Sequence, residues 1–148
     1  MNKFMLDTNA INKVLDNGIK PAQLSLDRKL YITHIQLNEI QATNNTDRRN
    51  DLLTVFKSIK QEAKPTAAAV FDVSEFGDCE FGDGDGSYTS ILSELNELNG
   101  GKRGNERDAL IAVTAIKHRC ILVTDDQDLK IAVTKANGST LTFEEFVS

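Results

Sequence analysis

The apolar residues of this chain fall in short clusters set apart by polar turns, and their spacing alternates between strand-like and helix-like. Phe4-Met5-Leu6 is a compact apolar run closed by Asp7-Thr8-Asn9, residue types that cap helices. This pattern predicts a buried strand feeding a helix that runs through about Asp16, where Asn17-Gly18 ends it. Lys20-Pro21 makes a turn before a short helical stretch, and Leu30-Tyr31-Ile32 reads as a second strand. Thr33 then caps a helix running to about Thr43. Another helix opens at Asp47 and continues to about Ala63. Its Leu52, Leu53, Val55, Phe56 and Ile59 recur mostly at three- and four-residue spacings, as a helix facing a core requires.

The second half repeats the alternation. Ala68 to Phe71 predicts a third strand, and the Gly- and Asp-rich segment from Glu75 to Gly86 a loop. Ser87 starts a helix through Leu98 with Ile91, Leu92, Leu95 and Leu98 as its apolar stripe, and Asn99-Gly100-Gly101 stops it. Asn105 begins the clearest helix, whose Ala109 to Ala115 stretch is apolar on nearly every side and therefore central. Ile121-Leu122-Val123 has the character of a fully buried strand. A helix from about Asp126 to Lys135, a turn at Asn137-Gly138 and a last strand from Thr140 to Phe143 complete the pattern. Strands alternating with helices predict an α/β fold, a three-layer sandwich around a mainly parallel sheet. No repeat, linker or low-complexity stretch divides it, so one domain is expected over residues 1–148.

Composition narrows the classes. Of 148 residues, 40% are hydrophobic and 26% charged, which supports a packed core and excludes wholesale disorder. No apolar run approaches the ~20 residues of a membrane span, and the carboxylate in MNKFMLD comes too early for a signal peptide. Cys79 and Cys120 form no metal-spacing motif, and Cys120 reads as a small buried hydrophobe. The expectation is a reduced, cytoplasmic protein. With two histidines, His34 and His118, and no Trp, no Ser/His/Asp triad can be assembled.

Charge is less simple. The 17 basic against 22 acidic residues give −5, which taken whole argues against a nucleic-acid binder. Yet eight acids and no Lys or Arg lie between Pro65 and Gly101, leaving 14 acids against all 17 bases elsewhere. Several of those acids stand where sites form in open parallel sheets, beyond the carboxyl ends of strands. Asp7 follows the first strand, and Asp126 follows Ile121-Leu122-Val123-Thr124 after one residue. Asp108 lies in the first turn of the central helix, where backbone N–H groups favour negative charge. Glu39 sits within the Thr33 helix beside Ile35 and Ala42, on a partly buried face. Singly, each also reads as an ordinary cap or surface acid. Asp108, three residues after Asn105, fits a capping arrangement, and Asp125 and Asp128 rival Asp126.

Together the acids have a recognisable order. The stretches FMLDTNAI, THIQLNEI and NERDALIAVTAIKHRCILVTDDQDL resemble the PIN-domain ribonucleases, especially the short toxins of the VapC kind, and the likeness spans essentially the whole chain. The family's acidic positions fall on Asp7, Glu39, Asp108 and Asp126, and its supporting polar positions on Thr8 or Asn9 and on Thr124. The resemblance implies a PIN-like fold and hydrolysis of single-stranded or structured RNA to a 5′-phosphate and a 3′-hydroxyl. It also implies the toxin of a type II toxin–antitoxin pair, a cognate antitoxin that blocks the site, and a homodimer. Apolar stripes on the helices between Thr33 and Ala63 are expected to supply the dimer surface. The acidic Gly-rich loop before Ser87 is longer than the family commonly shows.

Elementary electrostatics explains why such a cluster takes a cation. Two carboxylates ~4 Å apart repel by about 4 kcal/mol at an effective dielectric of about 20. Oxygen ligands without His or Cys suit Mg²⁺ or Mn²⁺, as one ion or two. Lys102, Arg103 and Arg107, beside Asp108, are placed to meet RNA phosphate, or equally to form a solvated basic turn; Arg48 and Arg49 carry the same two readings. Asp83-x-Asp85-x-Ser87 with Glu94 faintly echoes a calcium loop, but Tyr88 stands where that loop needs Gly. Two other classes remain compatible with the sequence: an Asp-dependent phosphotransfer or phosphatase domain, and a PIN-like RNA- or protein-binding module without catalysis. With four acids set aside for metal, 10 remain against 17 bases outside the acidic segment, a balance compatible with a phosphate backbone nearby.

Overall fold

The computed structural model describes residues 2–24, 28–62, 70–71 and 87–148. The Glu75–Gly86 loop, most of the acidic segment, Cys79 and the calcium-like Asp83 and Asp85 lie outside the described residues.

The first half supplies β1 (Asn2–Leu6), α1 (Thr8–Asp16), α2 (Pro21–Leu24), β2 (Arg28–Thr33), α3 (His34–Gln41), α4 (Thr46–Glu62) and β3 (Val70–Phe71). It is followed by α5 (Ser87–Asn99), α6 (Asn105–Lys117), β4 (Ile121–Val123), α7 (Gln127–Lys135), β5 (Thr140–Leu141) and α8 (Phe143–Val147). All strand pairs are parallel, in the order β3-β2-β1-β4-β5, with Phe4 opposite Leu30 on one side and Ile121 on the other. Alternation along each strand divides the core. Phe4, Leu6, Leu30, Ile32 and Val123 face Ile11, Val14, Leu52, Phe56 and Ile59 on one side of the sheet. Met5, Tyr31 and Leu122 face Ile91, Leu95, Ile111 and Leu129 on the other. The result is the expected three-layer α/β sandwich, with α6 buried along Ala109 and Ile111 to Ala115.

The order of strands places the site. From central β1 the chain moves outward to β2 and β3, then returns to lay β4 against the opposite edge of β1. A crevice opens at the carboxyl ends of strands where the direction of winding reverses, here between β1 and β4. The backbone N–H of Asp7 donates to the Val123 carbonyl at 3.2 Å, drawing the two strand ends together.

Three expectations need correction. The last apolar stretch is not a strand to Phe143: β5 stops at Leu141 and α8 follows. Thr142 and Glu145 form a reciprocal capping box at its start, a signal that the alternating Thr140–Phe143 pattern conceals. Phe146 then packs at 5.1 Å from the Phe4 ring, while the Arg28 guanidinium stacks 4.8 Å over it and donates to its carbonyl at 2.6 Å. The apolar stripe of α4 is no free dimer surface, because Leu52, Val55, Phe56 and Ile59 are buried against the sheet side that carries α1. Leu98, assigned to the buried stripe of α5, is exposed, and Tyr88 is buried on that helix instead. No helix among the described residues is long and apolar enough to cross a membrane.

Close packing at one glycine gives a direct test. A Cβ on Gly138 would stand 2.6 Å from Val133 Cγ1 and 2.8 Å from Ile116 Cγ1, both on packed helices. Gly138→Ala is expected to lower stability by about 1–3 kcal/mol, the usual cost of overpacking. Urea unfolding measures it, and an unchanged midpoint would show that α6 and α7 yield freely.

Candidate active site

Asp7 ends β1 as the N-cap of α1, its Oδ1 accepting from the Ala10 N–H at 2.7 Å. Asp126 does the same for α7, accepting from the Leu129 N–H at 3.1 Å. Buried Thr124 lies between them: its hydroxyl donates to the Asp7 carboxylate and accepts from the Asp126 N–H at 3.1 Å. Glu39, half-buried on α3, accepts from the Thr8 hydroxyl at 3.1 Å. Asp108 projects from the first turn of α6. These four acids come from separate elements and, with Thr8, Asn9 and Leu129, line one cavity of about 50 Å³.

The structure places the rival residues differently. Asp125 turns away from the cavity, its Oδ1 accepting from the Phe143 N–H at 3.0 Å and its other oxygen pairing with Lys13. Asp128 does not line the cavity. Of the two residues after Asp7, Thr8 holds Glu39, while Asn9 is exposed at the rim. Asp108 is not part of an Asn105 cap: the N-cap of α6 is Gly104, without a side-chain bond, and the Asn105 amide is directed to α5. Lys102, Arg103 and Arg107 line a broad groove next to the cavity, between the end of α5 and the start of α6. Arg48 is bonded to Asp16 and Asn12 of α1, and Arg49 to the Thr43 carbonyl, so both brace helices.

One residue outside the predicted set of site residues organises this end of the sheet. Gln36 is fully buried on α3. Its Nε2 donates to the Leu6 carbonyl at 2.8 Å, and its Oε1 accepts from the Thr33 N–H at 2.9 Å and from the Thr33 hydroxyl. A single carboxamide thereby ties the last residue of β1, just before Asp7, to the helix that carries Glu39. The Thr33-x-x-Gln36 spacing of a capping box was the available signal.

Burial and like charge act in the same direction here. Burial, then the negative charges of Asp126 and Glu39, push the Asp7 carboxyl up to about 6 against the hydrogen bonds from Thr124 and Ala10. Asp108 is likewise raised to about 6, by burial first and then by Glu39, Asp126 and Asp7, with Arg107 pulling the other way. Electrostatically the four acids therefore form one group. Among the described residues, however, no three of His, Cys, Asp or Glu converge tightly enough to ligate one ion as they stand.

The PIN domain family model matches residues 4–134, and the chain belongs to that family. The structure is similar to FitAcB from Neisseria gonorrhoeae at 19% identity, covering 95% of this chain and 98% of that one, with a TM-score of 0.51. VapBC-5 from Mycobacterium tuberculosis, a member of the VapBC family of toxin–antitoxin systems, matches at 20% identity over 96% and 98% of the two chains, with a TM-score of 0.51. VapBC-1 from nontypeable Haemophilus influenzae matches at 16% identity over the same shares of each chain, with a TM-score of 0.55. No curated protein matches the chain by sequence.

The raised carboxyls make a stability prediction. Asp7 moves from an ordinary 3.8 to about 6 on folding, so the folded state holds its proton more tightly than the unfolded one. Its contribution to stability is greatest below about pH 4, declines as pH rises to about 6, and stays low above that. Asp7→Asn removes this dependence and keeps an oxygen for the Ala10 cap. In chelator, the variant should become more stable relative to the parent between pH 4 and 7, by on the order of 1–3 kcal/mol. A difference between the two unfolding curves that does not change with pH contradicts the buried-charge account.

Proposed function

We propose that the chain is a Mg²⁺- or Mn²⁺-dependent endoribonuclease, one domain over residues 1–148, acting as the toxin of a toxin–antitoxin pair. The observation that carries this reading is the convergence of Asp7, Glu39, Asp108 and Asp126 on one cavity in a chain of the PIN family. The lining is oxygen-rich and lacks His and Cys, a donor set for hard divalent cations rather than zinc. A loose arrangement of carboxylates suits Mg²⁺ in particular, which keeps several waters and takes only one or two carboxylates directly. The donor chemistry thus suits a hydrated Mg²⁺ or Mn²⁺, one ion or two, held through one or two carboxylates each rather than by three at a single point.

A bound divalent ion would supply an activated water and neutralise charge building on the phosphodiester. The protein's own part is to hold ligands in place and bring substrate to them. Asp7, Glu39 and Asp108 would bind the metal, with Asp126 beside them. Thr124 and Thr8 fix Asp7, the Asp126 backbone and Glu39 by hydrogen bonds, the kind of outer support that orients metal ligands. Helix caps at Asp7 and Asp126 remove two more carboxylate torsions. Leu129 forms an apolar wall, and Asn9 stands at the opening. Lys102, Arg103 and Arg107 in the adjacent groove would take RNA phosphates.

The toxin role is supported by the fold shared with VapBC proteins of toxin–antitoxin systems. It implies a cognate antitoxin covering the cavity, a cytoplasmic site of action and a homodimer. Growth arrest on expression, relieved by a neighbouring gene product, is the expected behaviour; an active nuclease without toxicity would point to RNA processing.

Chemistry is tested on defined RNAs. Cleavage should require Mg²⁺ or Mn²⁺ and leave 5′-phosphate and 3′-hydroxyl ends. Asp7→Asn and Glu39→Gln should each reduce the rate by about a hundredfold or more, as the loss of several kcal/mol of charge stabilisation implies. Asp7→Asn should do so while stabilising the fold at neutral pH. Equal cleavage in excess chelator, or by Asp7→Asn, would falsify the mechanism.

A further inference from the structure

The connection between α5 and α6 combines features that neither helix requires. Gly100, Gly101 and Gly104 all have positive φ, at 72°, 81° and 97°. A loop with three such glycines can take many shapes, so another interaction must select one. That interaction is a cluster of three asparagines. Asn105, only 3% exposed, donates from Nδ2 to Asn96 Oδ1 at 2.8 Å and to Asn99 Oδ1 at 2.9 Å, and accepts from Asn99 Nδ2 at 3.0 Å. Asn99 Oδ1 also accepts from the Lys102 N–H at 3.0 Å, while the Asn105 N–H reaches the Lys102 carbonyl at 3.3 Å. The Lys102 backbone is gripped from both sides.

The same loop leads directly into the helix turn that carries Asp108. The Gly104 carbonyl accepts from the Asp108 N–H at 3.0 Å, and the Gly104 Cβ position lies 3.5 Å from Arg107 Nη2. Lys102, Arg103 and Arg107 are exposed along the groove, and Arg107 acts electrostatically on Asp108. A Ser or Asp in place of Gly104 would be strained at its φ of 97°, so no side chain caps α6 while the loop keeps this shape. The cap position carries glycine, and the adjacent amide reaches back to α5. The arrangement favours loop shape over helix stability.

We propose that Asn105 is a positioning residue for substrate: its clasp on Asn96 and Asn99 holds the Gly100–Gly104 loop in the shape that presents Lys102, Arg103 and Arg107 to RNA phosphates beside Asp108. The inference rests on the nuclease reading for its substrate class. It identifies the groove as the path of the strand next to the scissile bond and gives Asn105 a role exerted through the basic residues, without contact with RNA.

Binding of a fluorescently labelled single-stranded RNA tests this, using the cleavage-impaired Asp7→Asn protein at fixed Mg²⁺ and varied monovalent salt. Each phosphate contact on a single strand contributes about 0.7 to the slope of log affinity against log salt. If Asn105→Ala releases two of the three cations, the slope should fall in magnitude by about 1.4, with affinity about tenfold weaker near 0.1 M salt. In a Lys102→Ala/Arg103→Ala background, Asn105→Ala should add less than about a twofold loss, because its effect passes through those side chains. A folded Asn105→Ala protein with unchanged affinity and slope overturns the proposal, as does a full tenfold loss added to the double variant. Should Asn105→Ala fail to fold, Asn96→Ala, at an exposed position, removes one of the clasp bonds and is read in the same way. RNA binding that depends on Asn105 without any metal-dependent cleavage by the unsubstituted protein would sink the nuclease reading and spare this one. Cleavage with Asn105-independent binding does the reverse, and absence of RNA binding by the parent overturns both.

Discussion

Negative charge gathered at the carboxyl ends of β1 and β4 is the constraint around which this molecule is arranged. A folded chain gains nothing by bringing four carboxylates to one small cavity, where burial and mutual repulsion lift two of them to about 6. The arrangement persists because each acid is fixed by an element with its own reasons to form. Asp7 and Asp126 are drawn in as helix caps, Asp108 rides on the most buried helix, and Glu39 is carried by a helix locked to the sheet through Gln36. The apolar layers on both faces of the sheet supply the driving force, since each fully buried Leu or Ile contributes about 1.5–3 kcal/mol. Local repulsion is tolerated where the scaffold is strongest.

That arrangement explains the uneven legibility of the sequence. Short apolar runs followed by capping residues define β1, β2 and β4, because strand ends and helix starts carry local signals. Asp7 and Asp126 are visible for the same reason. Glu39 and Asp108 are ordinary helix acids in isolation, and only resemblance to a known family assigns them to the same site. The choice between Asp125 and Asp126 depends on Lys13, 112 residues away, and on a helix whose capping box lies inside an apparently strand-like segment. Asn105 reads as a helix start, and its actual partners, Asn96 and Asn99, lie on the preceding helix. Partnership between side chains on different elements leaves no periodic trace.

The expected dimer stripes illustrate the same limit from the apolar side. Periodicity shows that α4 has a buried face but does not say what buries it. In the structure that face is consumed within the chain, against one side of the sheet. Charge distribution is the complementary case. The overall −5 says little about a ligand, whereas the placement of acids in the cavity and bases along the adjoining groove describes a surface with two distinct electrostatic regions.

The double duty of Asp7 has a consequence for how the cavity can meet a cation. Its Oδ1 is already engaged by the Ala10 N–H at the start of α1. An ion gripping both oxygens would have to share Oδ1 with that bond, whereas an ion content with one oxygen would leave the cap untouched. Calcium readily takes carboxylates in bidentate fashion, while magnesium prefers single oxygens at octahedral angles. The cap of α1 therefore leaves the other oxygen of Asp7 as the one to meet a cation of the kind proposed, and a backbone hydrogen bond sets which face of the carboxylate the cavity sees.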